Sequence, residues 1–285
     1  MPEGDSVWRV ARRLEAGLSR RTVQRSDLRV PRFATADLSG RTVLTTVSRG
    51  KHLLTRFSGG VTLHTHLRMT GGWTVVGEGK RLPRHLDDSV RVVLATDGPT
   101  AYALDMPVVE LLRTDREADV VGHLGPDLLG EDWDPDEAVQ RLCSDPGRPL
   151  AAALLDQRNL AGIGNLWANE LCFLRGRSPW TPVGEVDLPP LVDLAHRLLV
   201  FSVSGAQTGR PTSQVTTGDP RKGRNHWVSG RAGRPCLRCG TTVRVVEEVQ
   251  DDPERRRTWW CPRCQPGPQP PPDRVESTPS SLGPD

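Results

Sequence analysis

No run of the chain approaches the ~18–20 consecutive apolar residues that a bilayer-spanning helix needs, which excludes a helical membrane protein. The opening MPEGDSVWRVARRLE is basic but lacks a continuous apolar core, so it does not read as a secretory signal. A soluble, cytoplasmic protein is the expectation. Cysteine is scarce, six in 285 residues, and without an export signal a disulfide framework is not expected. No internal repeat is visible, so repeat architectures are set aside. The net charge is only +3, too little to announce a nucleic-acid binder. Its distribution says more. Arg221, Lys222, Arg224, Arg231, Arg234 and Arg238 belong to an arginine-dominated stretch between Arg210 and Arg263. The arginine fork suits phosphate, although a solvated basic surface explains the stretch equally well.

What is present divides the chain in three. Residues 5–18 repeat Val7, Val10, Ala11, Leu14 and Leu18 at helical spacing, with Asp5 or Ser6 as the N-cap. From about 22 to 112 the pattern is of short strands, at 42–47, 52–57, 61–67, 73–76, 90–95 and 100–104, broken by glycine-rich turns. Strands at this spacing predict a β-sandwich or barrel. After about 120 the period becomes helical, with helices predicted at 136–144, 148–157, 165–175 and 189–203. Asp134-Pro135-Asp136-Glu137 is a helix start with a cap, a first-turn proline and acidic residues facing the dipole. From Pro266 onward the composition is that of a disordered tail.

Two of the cysteines, Cys143 and Cys172, stand alone in apolar helical context and are expected to be buried small hydrophobes. The other four form Cys236-x-x-Cys239 and Cys261-x-x-Cys264, enclosing a segment of hairpin length. Two such knuckles supply the four thiolates of tetrahedral zinc and leave no open position, so one structural Zn²⁺ is expected. Between two helical stretches, Gly162-Ile163-Gly164-Asn165 makes a tight turn that puts Asn165 at the start of a helix. Amide donors there can hold a phosphate. By itself, the pair of glycines reads first as an ordinary corner with an asparagine cap.

Taken together, Met-Pro-Glu-Gly-Asp at the N-terminus, Gly-Ile-Gly-Asn between helices and a late four-cysteine finger resemble the formamidopyrimidine-DNA glycosylase and endonuclease VIII family. The motifs occur in the right order over residues 1–265. Pro-Glu-Gly and Arg49-Gly50-Lys51-His52-Leu53-Leu54 look more like the endonuclease VIII branch. The resemblance implies an α+β protein: an N-terminal β-sandwich domain with a flanking helix over 1–119, a helical helix–two-turn–helix domain over 120–230, a zinc finger over 231–265 and a tail over 266–285. It implies a monomeric glycosylase and abasic-site lyase of base excision repair, whose partner is DNA carrying damaged bases or abasic sites.

Residue chemistry agrees with that implication. Once Met1 is removed, Pro2 carries a secondary amine that can attack a sugar carbon and form an iminium ion. A nearby helix N-terminus favours the neutral amine, and Glu3 is close enough in sequence to shuttle protons. The resemblance further implies that Lys51, Asn165 and Arg256 contact phosphate, with Arg255 and Arg257 as alternatives to Arg256. It also implies that Met69 fills the gap left by an extruded base. Three features depart from the family's pattern. Asp5-Ser6 stands where a further glutamate is common. Asp105-Met106-Pro107-Val108-Val109 lacks the arginine and phenylalanine that 8-oxoguanine enzymes insert opposite the lesion. Residues 205–230 make only a modest loop. Rival readings are an abasic-site lyase with little base excision and a non-catalytic damaged-DNA-binding protein.

Overall fold

The computed structural model describes residues 2–204, 214–246 and 256–270. Met1, Arg255 and residues 271–285 of the tail, for which removal, a phosphate contact and disorder were expected, lie outside the described residues.

The first helix, α1 (Gly4–Leu18), leads into eight strands arranged as two antiparallel four-stranded sheets. One sheet has the order β1 (Val23–Leu28), β6 (Val90–Thr96), β7 (Thr100–Leu104), β5 (Gly72–Val76). The other runs β2 (Val43–Arg49), β3 (His52–Phe57), β4 (Val61–His66), β8 (Val108–Arg113). Their inward faces share one core, in which Leu28, Leu94 and Trp73 from the first sheet meet Phe57 and Leu63 from the second. Val7, Ala11, Leu14 and Leu18 cover this core from α1, as their helical spacing requires. The β-sandwich expected from the strand pattern is therefore present.

Strands β1 and β8 were not expected. Val-Gln-Arg-Ser-Asp-Leu buries only its two ends, so β1 carries no alternation to read. Its strand conformation comes from pairing with β6. The N-cap of α1 also differs from expectation: Glu3 occupies that position, while Asp5 lies inside the first turn, fully buried, accepting from Ser202 Oγ at 2.5 Å and Gln214 Nε2 at 2.8 Å.

A short helix, α2 (Ala118–Val121), precedes the helical part: α3 (Pro135–Cys143), α4 (Leu150–Leu155), α5 (Asn165–Leu174) and α6 (Pro189–Ser204). Asp134 caps α3 as its sequence predicted, accepting from the amides of Asp136 and Glu137. Helix α4 is shorter than predicted because Pro149 precedes it and the chain turns extended at Asp156. These helices bury a second core around Leu154, Trp167, Leu171 and Leu199. Cys172 is buried there and its thiol is pushed up to about 12 by burial. Cys143, by contrast, is exposed: the last turn of α3 points it outward, while Ala138 and Leu142 take the buried face.

The finger is a two-stranded hairpin of β9 (Arg244–Val246) and β10 (Thr258–Trp260), docked on α5. Phe173 packs with Val228, Val243 and Cys261, and Trp259 N donates to Asn169 Oδ1 at 2.9 Å. Among the described residues no helix is long and apolar enough to cross a membrane.

Candidate active site

A cavity of about 850 Å³ opens between the sandwich, the helices and the finger. Pro2, Lys51, Met69, Asn165 and Arg256 all line it, although they come from five separate segments. Glu3 is fully buried beside its neighbour Pro2.

Glu3 is held by the helix it does not belong to. Its carboxylate accepts from Leu166 N at 2.7 Å, Gly164 N at 3.0 Å and Trp167 N at 3.2 Å, the open amides at the N-terminus of α5. A Cβ on Gly164 would lie 2.3 Å from Glu3 Cδ, so only glycine admits the carboxylate here. One chain step on, Gly4 N donates to Gly162 O at 2.8 Å, and the N-terminal segment is pinned along the turn. Burial raises the Glu3 carboxyl to about 7, against the opposing pull of Lys51 and the amides of Leu166 and Trp167. A group poised there can both give and take a proton near neutrality.

These contacts revise the role expected of the glycine turn. Its helix N-terminus does hold an anion, but three of its amides, those of Gly164, Leu166 and Trp167, go to Glu3. Asn165 also offers its side chain. Its Nδ2 donates to Arg257 O at 2.9 Å, which ties the turn to the finger beside Arg256.

Lys51 sits on the tight turn between β2 and β3. Gly50 has φ +56, a conformation that suits glycine, and its N–H donates to Asp127 Oδ2 at 2.6 Å. Asp127 is buried, and burial raises its carboxyl. It reaches from the helical part to fix the lysine-bearing turn, a role no motif announced. Arg49 reinforces the same seam through Asp132 at 2.9 Å and Gly125 O at 3.1 Å.

Met69 stands on the loop after β4 with 64% of its surface exposed, an apolar side chain held out into the cleft. The turn between β7 and β8, by comparison, has only Asp105, Met106 and Pro107 in it, and Met106 is buried. Its exposed residues are Asp105 and Pro107, neither the arginine nor the phenylalanine of the 8-oxoguanine enzymes. Glu170, buried on α5, accepts from the amides of Trp227, Val228 and Ser229, each at 2.9 Å, and so anchors the segment that leads into the finger.

The finger brings the sulfurs of Cys236, Cys239, Cys261 and Cys264 within 4.8 Å of one another. Cys239 and Cys261 are 3.5 Å apart, Cys236 and Cys264 3.9 Å. A tetrahedral metal with sulfur at ~2.3 Å has edges of about 3.8 Å, so the donor set fits a metal ion. All four positions are taken by protein, which makes such a metal structural.

The formamidopyrimidine-DNA glycosylase N-terminal domain matches residues 1–106. A probable endonuclease 8 2 from Streptomyces coelicolor is 54% identical, over 95% of this chain and 96% of its own. The chain belongs to the formamidopyrimidine-DNA glycosylase and endonuclease VIII family. It falls in the endonuclease VIII-like branch of that family, as the N-terminal and lysine-turn motifs predicted, and is accordingly a DNA glycosylase and abasic-site lyase. A DNA-(apurinic or apyrimidinic site) lyase from Mycolicibacterium smegmatis is 46% identical, over 93% of this chain and 99% of its own. The solved formamidopyrimidine-DNA glycosylase of Thermus thermophilus is 32% identical, with TM-score 0.72, covering 94% of this chain and 100% of that one.

Proposed function

We propose that this member of the family removes oxidised bases, pyrimidines in particular, from DNA and cleaves the strand by β,δ-elimination. Pro2 is the nucleophile. Its secondary amine attacks C1′ of the damaged nucleoside, the base leaves, and the iminium ion so formed is the electron sink for elimination. Glu3 supplies the proton for the sugar ring oxygen or the departing base and takes it back afterwards. The observation that carries this reading is the burial of Glu3 beside Pro2, where its carboxyl is raised to about 7.

Lys51, Asn165 and Arg256, which all line the cleft, hold the phosphates flanking the lesion. Met69 fills the stack after the damaged nucleotide is extruded, recovering part of a cost of a few kcal/mol. The preference for pyrimidines is supported by the branch and by the short turn at Asp105–Pro107, which carries no probe for an opposite cytosine. We read 1–119 as the catalytic sandwich domain, 120–230 as the helix–two-turn–helix domain and 231–265 as the finger, clamping DNA as a monomer. The metal is zinc, held by Cys236, Cys239, Cys261 and Cys264, and it keeps the hairpin that presents Arg256 folded. The site of action is the cytoplasmic nucleoid.

A second reading, a lyase with little base excision, is favoured by the name of the Mycolicibacterium smegmatis relative. Borohydride trapping separates the two. The Met1-processed protein is offered one oligonucleotide with an oxidised pyrimidine and another with an abasic site. Adducts on both, mapped to Pro2, are expected. An adduct on the abasic site alone supports the lyase reading, and binding without trapping on either refutes both.

A further inference from the structure

Beside Pro2 and Lys51 the cleft is lined by three histidines, His52, His64 and His66, that the reaction as derived above does not use. Strand register explains their meeting. His52 pairs with His66 across β3 and β4, and His64 pairs with Glu110 across β4 and β8. Alternation along β4 sends His64 and His66 to one face of the sheet, where His52 and Glu110 join them. His52 Nδ1 lies 2.8 Å from His64 Nε2, and His64 Nδ1 lies 2.8 Å from Glu110 Oε2.

With both rings neutral, this string has one consistent set of protons. A carboxylate only accepts, so His64 carries its proton on Nδ1 and donates to Glu110. Its Nε2 is then an acceptor, and His52 must donate from Nδ1. The lone pair of His52 is thereby left on Nε2, in a ring that lines the cleft. The His64 side chain is 4% exposed and that of Glu110 36%, so the string begins at the cleft and ends at solvent.

We propose that His52, His64 and Glu110 form a proton relay for strand cleavage, with His52 Nε2 accepting the C2′ proton of the Pro2-linked sugar. The inference rests on the reading of Pro2 as the nucleophile. In the step, the C2′–H bond breaks and its proton goes to His52 Nε2. The electron pair forms the C2′=C3′ double bond, and the C3′–O bond breaks to release the phosphate. The His52 Nδ1 proton passes to His64 Nε2, and the His64 Nδ1 proton passes to Glu110. No oxidant or reductant is involved.

The surroundings require the proton to move on. Burial, His66, His64, His123 and Lys51 together hold the His52 ring neutral, depressing it to about 3. An imidazolium on His52 does not persist there, whereas a shift along the string places the charge change on Glu110 at the surface.

Single-turnover cleavage of an oligonucleotide with a preformed abasic site tests the relay, with borohydride trapping on the same substrate as the second readout. His52→Ala is expected to keep trapping within about twofold and to lose roughly 100-fold in cleavage, the usual weight of a general base. Added imidazole is expected to restore cleavage in that variant. Glu110→Gln, a conservative change at the surface end, is expected to slow cleavage roughly tenfold with trapping intact. Two results overturn the proposal while leaving Pro2 as the nucleophile. One is normal cleavage in both variants. The other is loss of trapping in His52→Ala without imidazole rescue, together with normal cleavage in Glu110→Gln. Absence of trapping in the unmodified protein removes the Pro2 reading, and the relay goes with it.

Discussion

The floor of the cleft and the outer edge of the helical part both hold a carboxylate in a cage of N–H donors, with opposite results. At the edge, Asp156 accepts from Arg148 and Arg158 at 2.7 Å each, and these guanidinium groups drive its carboxyl far below the usual range. On the floor, Glu3 receives three donors against four at Asp156, yet burial raises it to about 7. One hydrogen bond more does not account for the difference. What separates them is the charge of the donors. Guanidinium groups neutralise a carboxylate, whereas backbone amides in a dry site leave its desolvation cost standing. The edge makes a structural ion pair and the floor makes a proton shuttle.

Glu3→Gln breaks this contrast most severely. The amide keeps the shape but neither gives nor takes a proton, so base excision is expected to fall by about 10²–10⁴. Stability should move the other way. The Glu3 carboxyl is raised in the folded state, so its contribution is fully present below about pH 4.5 and is lost as pH rises through about 7. The ionised carboxylate then costs on the order of 3 kcal/mol. Denaturant unfolding at pH 8 should find the variant as stable as the unmodified protein or more so. Unmodified excision activity, if Glu3 acts as the acid, declines through the same window.

Gly164→Ala tests the seat rather than the group. Its Cβ would collide with Glu3 Cδ, and the chain between them is too tightly pinned to yield freely. A loss of about 1–3 kcal/mol in stability is expected, the range for a core overpacked by one carbon. Excision measured on the same sample should fall with it.

Asp127→Asn sharpens the comparison at the second amide-held carboxylate. The amide can still accept from Gly50 or Leu129, so the expected stability change is below about 1.5 kcal/mol. The turn carrying Lys51 is loosened, and cleavage should slow more than folding weakens. Paired cleavage and denaturation measurements decide it.

The smallest effect belongs to the edge. Asp156→Asn removes two ion pairs whose stabilisation is present above the normal aspartate range and lost only in acid, because the carboxyl is lowered in the folded state. A slight loss of stability at neutral pH is expected, with excision unchanged. A large drop in excision here would break the division between the two regions.

Much of this was legible because it depends on local periodicity or on fixed spacing. The apolar face of α1, six of the eight sandwich strands and the four-cysteine finger each announce themselves within a short window. The unseen parts depend on partners far away. Strand β1 reads as polar and is a strand because β6 pairs with it. Cys143 looks like a core residue until the helix is seen to face it outward.

The chain by itself determined the inventory: a secondary amine beside a carboxyl, a lysine on a glycine turn, a glycine-paired helix start and four thiolates in two knuckles. Side-chain chemistry and short spacing suffice for that. Tertiary structure alone decided how the inventory is used. Glu3 meets the amide of Gly164, 161 residues away, and so takes the anion site that looked ready for phosphate. Asp127 orients the lysine turn from 77 residues away. Burial, which sets the proton affinity of Glu3, is produced only when the N-terminal segment closes on the helical part, because dielectric and desolvation belong to the assembled surroundings and not to any residue alone.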